Sequence, residues 1–357
     1  MPLVDWLEKE PLFPKFYWEN RESGEQFAAA GAVATLSHLP IEHKELWCGI
    51  ARFPIVPSHA QSVWESNCPS LFFLPKKIER GKVIPSSFSS VFPRLLQRED
   101  LPSRVGWENR VEETLNAIGQ GALEKVVLAR QTSLSFNEDI NVFTLLRKVM
   151  ERKGRATFFL LQASLDQAFL GASPEKLYAR KGEILKTEAL AGTVLQEKKE
   201  LLFKSKKLQN EVELVKIHLE ELLFPLCEKI TWQPQTAIQT ANLYHLYFGA
   251  TAHLKKETSD AALISLLNPT AALGGKPRDA ALNWLLEKEL FDRGWYGGAI
   301  GWASAQEADF SVAIRSALVV KNQLHLFSGA GILEGSSPAN EWEELENKIA
   351  PYMKLFL

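Results

Sequence analysis

Glu341, Glu344 and Lys348 stand three and four positions apart near the end of the chain. On a helix that spacing puts all three on one face. Two carboxylates so placed can hold a hard cation such as magnesium through oxygen while the lysine reaches an anion. The same spacing also suits a solvated face with a Glu→Lys pair worth roughly 0.2–0.5 kcal/mol. Upstream, Gly329-Ala-Gly331 reads as a bend. It is either an ordinary turn or a place where backbone N–H groups approach a carboxylate closely. Arg315 lies in Val312-Ala-Ile-Arg-Ser-Ala317, read as an apolar strand, where a charge must find a partner in protein or ligand. Lys125 opens the run Lys125-Val-Val-Leu-Ala-Arg130. Its stem can pack with its head in water, or, desolvated near other cations, it can act as a base. Glu175, in Ser173-Pro-Glu-Lys-Leu177, reads as a turn acid. Taken together, the glycines, the lone arginine and the acidic helix point to a pocket for an anion and a metal.

The elements that must position these residues are legible from periodicity. Val111, Leu115 and Ile118 recur at helical spacing, and Gly119 and Gly121 end that helix. Residues 125–130 form a strand, with Lys125, Val127 and Ala129 on one face and Val126, Leu128 and Arg130 on the other. Residues 156–161 and 168–171 read as further strands. Residues 200–223 form the clearest helix, with Leu208, Val212, Val215, Leu219 and Leu222 in one stripe. Strands are expected at 312–319 and 323–328, and a last helix from Pro338 with Ser337 as N-cap. Residues 1–95 hold short aromatic-rich runs broken by prolines and no chemical motif. Runs of strands with interposed helices predict an α+β protein with no regular βαβ alternation.

Composition narrows the function. At 357 residues the chain suffices for one large domain or two ordinary ones, and 46% of it is apolar. A net charge of −2 gives no basic footprint for nucleic acid. Three widely spaced cysteines (Cys48, Cys68, Cys227) read as incidental thiols of a reducing compartment. No apolar run approaches the roughly 18 residues of a membrane span, and the acidic start does not read as a signal peptide. A cytoplasmic protein is expected. Phosphate-binding glycine fingerprints and paired histidine ligands are absent.

The order of the motifs adds a resemblance. Lys125-Val-Val-Leu-Ala-Arg130, Gly171-Ala-Ser-Pro-Glu-Lys-Leu177, Glu188-Ala-Leu-Ala-Gly-Thr193, Tyr244-His-Leu246, Asn268-Pro-Thr-Ala-Ala-Leu-Gly-Gly275 and the closing blocks follow one another along residues 105–357. The set resembles the chorismate-utilising enzymes, most closely the isochorismate synthases. The resemblance implies a single domain of two large, mostly antiparallel packed sheets with outer helices. Residues 1–95 would be a divergent strand-rich part of that fold and 96–357 the chorismate-binding catalytic region. It implies magnesium and the dianion chorismate. Lys125 matches the general base that activates water for attack at C2, and Glu175 the general acid that protonates the departing C4 hydroxyl. Glu211, Glu341 and Glu344 match the metal ligands. Gly192, Thr193, His245, Tyr296, Arg315, Gly329 and Lys348 match substrate-binding positions.

Within the family the nucleophile separates activities. Lys125 implies water. Anthranilate-forming relatives use ammonia and lack this lysine, and aminodeoxychorismate-forming relatives carry a lysine where this chain has Ala191. No amidotransferase subunit is therefore expected. Salicylate synthases share Lys125 and stay open as an alternative, as does a non-catalytic binding protein of the same fold. The product would feed menaquinone or salicylate-type siderophore synthesis. The chain departs from the family at Leu208, Val212 and Asn268, where an acid and two histidines are usual. Leu208 and Val212 are four apart, so their joint change reads as a paired conversion to apolar packing that weakens metal binding.

Overall fold

Strands as apolar as Thr157–Gln162 and Gln167–Ser173 are buried along their whole length. Such strands need cover on both faces, which a sheet provides by folding over itself and carrying helices outside. The computed structural model describes residues 2–64, 68–82, 92–151, 154–240, 243–255 and 258–356. In chain order the first elements are α1 (Leu3–Lys9), β1 (Lys15–Glu19), β2 (Glu25–Leu36), β3 (Trp47–Ala51), β4 (Leu71–Lys82), β5 (Leu95–Leu101), α2 (Arg104–Gly119), β6 (Lys125–Phe136), α3 (Val142–Met150), β7 (Thr157–Gln162), β8 (Gln167–Ser173) and β9 (Lys176–Lys181). There follow β10 (Ile184–Leu195), α4 (Lys206–Leu223), β11 (Cys227–Trp232), β12 (Thr236–Thr240), β13 (Leu243–Leu254), α5 (Asp260–Leu267), β14 (Gly275–Lys276), α6 (Arg278–Lys288), β15 (Ala299–Ala303), β16 (Glu307–Val312), β17 (Ser316–Val320), β18 (Gln323–Leu333) and α7 (Pro338–Met353).

The named strands pair antiparallel in one unbroken path. From β13, which carries β11 and β12 on its far side, it runs through β10, β9, β16 and β15 to β3. It crosses β4, β2 and β1, then continues through β7, β8, β17 and β18 to β6, which carries β5 and β14. The two expected sheets are thus the wings of one ladder, joined through β1–β4. Phe16, Trp18, Ile50, Phe159, Phe169, Ile300 and Phe327, drawn from both wings, form one core. A second core lies under α1, α3 and α7, and the largest under α2 and α4–α6.

Several local readings change. The helix expected over 200–223 starts at Lys206, because Ser205 caps it by accepting the Leu208 N–H, and a 3₁₀ turn over Gln196–Leu201 precedes it. The stripe itself is buried as expected: Val212, Val215 and Leu219 are fully enclosed, and Leu208 and Leu222 pack on the same core. The strand expected over 312–319 is two strands. β16 ends at Val312 and β17 starts at Ser316, and between them Arg315 adopts φ +51°, a left-handed conformation uncommon outside glycine. Gly329-Ala-Gly331 is no bend, since both glycines lie within β18 opposite Ala129 and Val127 of β6. Ser337 precedes α7 but makes no side-chain cap bond.

Candidate active site

The proposed site residues come from several elements: Gly192 and Thr193 from β10, Glu341, Glu344 and Lys348 from α7, and the others from one element or link each. Lys125 is the first residue of β6 and is held between β18 and the short β14. Gly275 makes the second approach possible: a Cβ there would lie 2.2 Å from the Lys125 carbonyl oxygen. The Lys125 ammonium sits 3.2 Å from Oε1 of Glu211, in the second turn of α4. Gly331 faces this pair, and a Cβ on it would meet Lys125 Cε at 2.7 Å and Glu211 Oε1 at 2.9 Å. The glycine is in the strand because a side chain would drive the ion pair apart.

Glu175 occupies the link between β8 and β9 and is 4% exposed. Its backbone is pinned: the Ser173 hydroxyl donates to the Val312 carbonyl at 2.6 Å, and the Val312 N–H donates to the Glu175 carbonyl at 3.0 Å. The Thr270 hydroxyl donates to the carboxyl at 3.4 Å. Burial, reinforced by the nearby charge of Glu188 and only partly opposed by Lys125, pushes the Glu175 carboxyl up to about 8. It is therefore protonated at neutral pH, as a proton donor must be.

Glu175, Glu211, Thr193, His245, Tyr296, Arg315, Gly329, Glu344 and Lys348 all line one cavity. Val127, Ala191, Phe327 and Gly331 are also part of its wall. Thr193 follows a bulge at Gly192, whose φ of +66° and approach to the Leu208 carbonyl (a Cβ would lie at 3.1 Å) require glycine. Gly192 shapes the wall without lining it. Hydroxyls of Thr193 (3.0 Å, Nδ1) and Thr240 (2.8 Å, Nε2) share hydrogen bonds with the His245 ring. Burial, with Arg315 and Lys348 adding to it, holds this imidazole well below its ordinary range, so it is neutral. Lys348 donates to the Gly329 carbonyl at 2.7 Å and pairs with Glu344 at 2.5 Å. The Tyr352 hydroxyl donates to the Arg315 carbonyl at 2.9 Å, tying the kinked arginine to α7. Tyr296 stacks on Phe327 with ring centroids 5.3 Å apart, and burial pushes its phenol up to about 12. The cavity thus joins a buried acid and two cations, Arg315 and Lys348, to a neutral wall; Lys125 does not line it and reaches it through its contact with Glu211.

The chain matches the chorismate binding enzyme model over residues 74–357. It is 31% identical to the isochorismate synthase MenF of Pasteurella multocida, over 99% of this chain and 90% of that protein. It is 29% identical to the isochorismate synthase MenF of Escherichia coli, over 97% and 89%. The chain belongs to the chorismate-binding enzyme family. The solved structure of the menaquinone-specific isochorismate synthase MenF from Escherichia coli superposes with a TM-score of 0.88 at 27% identity, covering 100% of this chain and 92% of that one. The anthranilate synthase component I of Streptococcus pneumoniae, at 19% identity and a TM-score of 0.73, shares the fold.

As a member of that family the chain would draw magnesium to Glu211, Glu341 and Glu344. The donor chemistry fits, since all three are carboxylate oxygens of the kind a hard cation prefers. Lys207 feels all three charges, which places them in one neighbourhood. Each carboxylate is now taken by a lysine: Glu211 by Lys125, Glu341 by Lys207, Glu344 by Lys348. Among the described residues no three His, Cys, Asp or Glu side chains are close enough to hold an ion as they stand. Glu341 is 2% exposed and lies behind the cavity wall; burial, with Glu344 adding to it, raises its carboxyl.

Sequence reasoning gave no role to Lys207 or Thr270, and read Gly331 only as part of a bend. Lys207 was detectable, because it lies four residues before Glu211 on the same helical face. Asn268 and Pro269 are joined by a cis peptide bond, and Asn268 donates to the Arg52 carbonyl at 3.2 Å. Leu208 and Val212 pack in the same core under α4.

Proposed function

We propose that this chain is an isochorismate synthase, isomerising chorismate to isochorismate with Lys125 as general base and Glu175 as general acid. The observation that carries the assignment is a buried carboxyl held protonated near neutrality in a cavity that it shares with Glu211 and the cations Arg315 and Lys348, with Lys125 paired to Glu211 just behind the wall. The relatives named above supply the reaction.

Acting as the free amine, Lys125 takes a proton from the water that bonds to C2. The ring double bonds shift, the C4–O bond breaks, and Glu175 gives its proton to the leaving hydroxyl, so one water enters and one departs. Hydroxide is a poor leaving group, and an acid still protonated at pH 7 is what its departure requires. Arg315, Lys348 and the Thr193 hydroxyl bind carboxylates of the substrate, with His245 orienting Thr193 as a neutral ring. Buried Tyr296 and Phe327 exclude bulk water from the ring. Glu211, Glu344 and Glu341 would hold magnesium, which would supply positive charge to a substrate carboxylate. Ala191 leaves the wall without the lysine of aminodeoxychorismate-forming relatives.

No helix among the described residues is long and apolar enough to cross a membrane. With three unpaired buried cysteines, we take the cytoplasm as the working compartment. Water as nucleophile needs no ammonia-supplying subunit. The test is incubation of pure protein with chorismate and magnesium, followed by chromatography. Isochorismate without pyruvate is expected. Salicylate plus pyruvate would make it a salicylate synthase, and absence of turnover would refute an enzymatic role.

A further inference from the structure

The turn between β1 and β2 reaches across the molecule. Asn20 stabilises it by accepting the N–H groups of Glu22 at 2.8 Å and Ser23 at 2.9 Å. The same side chain donates to Asp309 of β16 at 2.6 Å, and Asp309 pairs with Lys176 at 2.8 Å. Arg21 then points inward, its side chain only 1% exposed. Its guanidinium lies bidentate on Glu188 of β10, whose side chain is 2% exposed, and also donates to the Pro174 carbonyl. Glu188 Oε1 accepts the Lys176 N–H at 2.7 Å.

Pro174 and Lys176 flank Glu175. A pair that served only to dock the hairpin would have no reason to bond to both neighbours of one catalytic side chain. Buried ion pairs are also weak sources of net stability, since desolvation offsets their attraction. We propose that Arg21 and Glu188 are positioning residues for the isomerisation, together gripping the peptide groups on both sides of Glu175 and fixing its carboxyl toward the cavity. This rests on Glu175 being the acid. It gives the N-terminal hairpin, which lies outside the matched 74–357, a part in the reaction.

The charge of Glu188 acts in the same direction as its geometry. The charged groups felt by Glu175 are Glu188 from β10, Lys125 from β6 and Arg21 from the hairpin, and the Tyr296 phenol feels Glu175 in turn. Glu188 raises the Glu175 carboxyl, whereas Lys125 and Arg21 lower it. Removing the Glu188 charge leaves the two cations unopposed, so Glu175 loses its proton at lower pH.

Steady-state kinetics on Glu188→Gln and Arg21→Lys, with melting curves alongside, test the proposal. Glu188→Gln keeps the shape and the acceptor for the Lys176 N–H. Its kcat–pH profile is expected to lose activity at lower pH on the alkaline side, with KM within about twofold of wild type. Arg21→Lys keeps the charge but cannot grip Glu188 and Pro174 together. Its kcat is expected to fall about tenfold or more at nearly unchanged KM, because small misplacements of a catalytic group cost rate. A merely structural pair would lower the melting temperature and leave kcat and its pH profile alone. That outcome in either folded variant overturns the proposal, and if Arg21→Lys does not fold, the shape-preserving Glu188→Gln decides. Wild-type protein that makes no isochorismate refutes the parent reading instead, and this one with it.

Discussion

Glu175 and Lys125 carry the proposed chemistry at the scale of single residues. Replacing the acid by Glu175→Gln, or the base by Lys125→Ala, is expected to lower turnover of chorismate by about 10²–10⁴-fold, read by product chromatography. Because burial raises the Glu175 carboxyl to about 8, wild-type activity is expected to fall as pH rises through about 8. The same shift has a sign for stability. A carboxyl whose folded-state value is raised favours the fold while protonated, and that contribution is lost as pH rises from the ordinary carboxyl range through about 8. Glu175→Gln has no charge to bury. It is therefore expected to melt above wild type at about pH 9 and to lose that advantage at about pH 5; a constant difference across this range would contradict it. Lys125 and Glu175 could be proposed from the sequence because their motifs occur in order with the others. Arg315 was legible as a residue but not as a conformation. Nothing in Val312-Ala-Ile-Arg-Ser-Ala317 demands φ +51°, which is imposed by β8, whose Ala172 donates to the Arg315 carbonyl, and by Tyr352.

At the scale of elements, β18 and α4 do the positioning. The glycines of 329–331 were read as a bend because glycine usually punctuates a chain. Their function here is close approach within a straight strand, which only the neighbouring side chains reveal. Gly331 has no unusual φ, so Gly331→Ala leaves the backbone unstrained while its methyl group lands within 3 Å of both Lys125 and Glu211. The expected outcome is a folded protein with a large loss of kcat; wild-type kcat would show that the Lys125–Glu211 contact is dispensable. The stripe of α4 was legible because an apolar face at helical spacing has one simple solution. Its start was not, because the 3₁₀ turn before Ser205 has no periodicity of its own. Leu208 lies on that helix where the family resemblance led to the expectation of an acid. Leu208→Asp is expected to lower the magnesium concentration giving half-maximal activity and to tighten magnesium binding in calorimetry. An unchanged requirement would mean that the apolar pair costs the metal site nothing.

At the scale of the molecule, the N-terminal strands are the hinge of the ladder. β1 joins β7, and β3 joins β15. Without them both wings end in open edges and the shared aromatic core loses Phe16, Trp18, Phe27 and Ile50. A chain starting at residue 96 is expected to yield no cooperative thermal transition, and a stable truncated protein would contradict this. These pairings were invisible in the sequence because register between distant strands depends on tertiary partners and leaves no local periodicity.

The β3–β15 contact carries a cost in time. Cys48 lies opposite Trp302, on the order of 250 residues later in the chain. At bacterial-like synthesis rates of about 5–20 residues per second, β3 leaves the ribosome roughly 10–50 seconds before its partner exists. An apolar strand edge waiting that long is a template for unwanted pairing. Nascent chains of this protein should therefore be clients of holding chaperones until the last quarter of the polypeptide has been made.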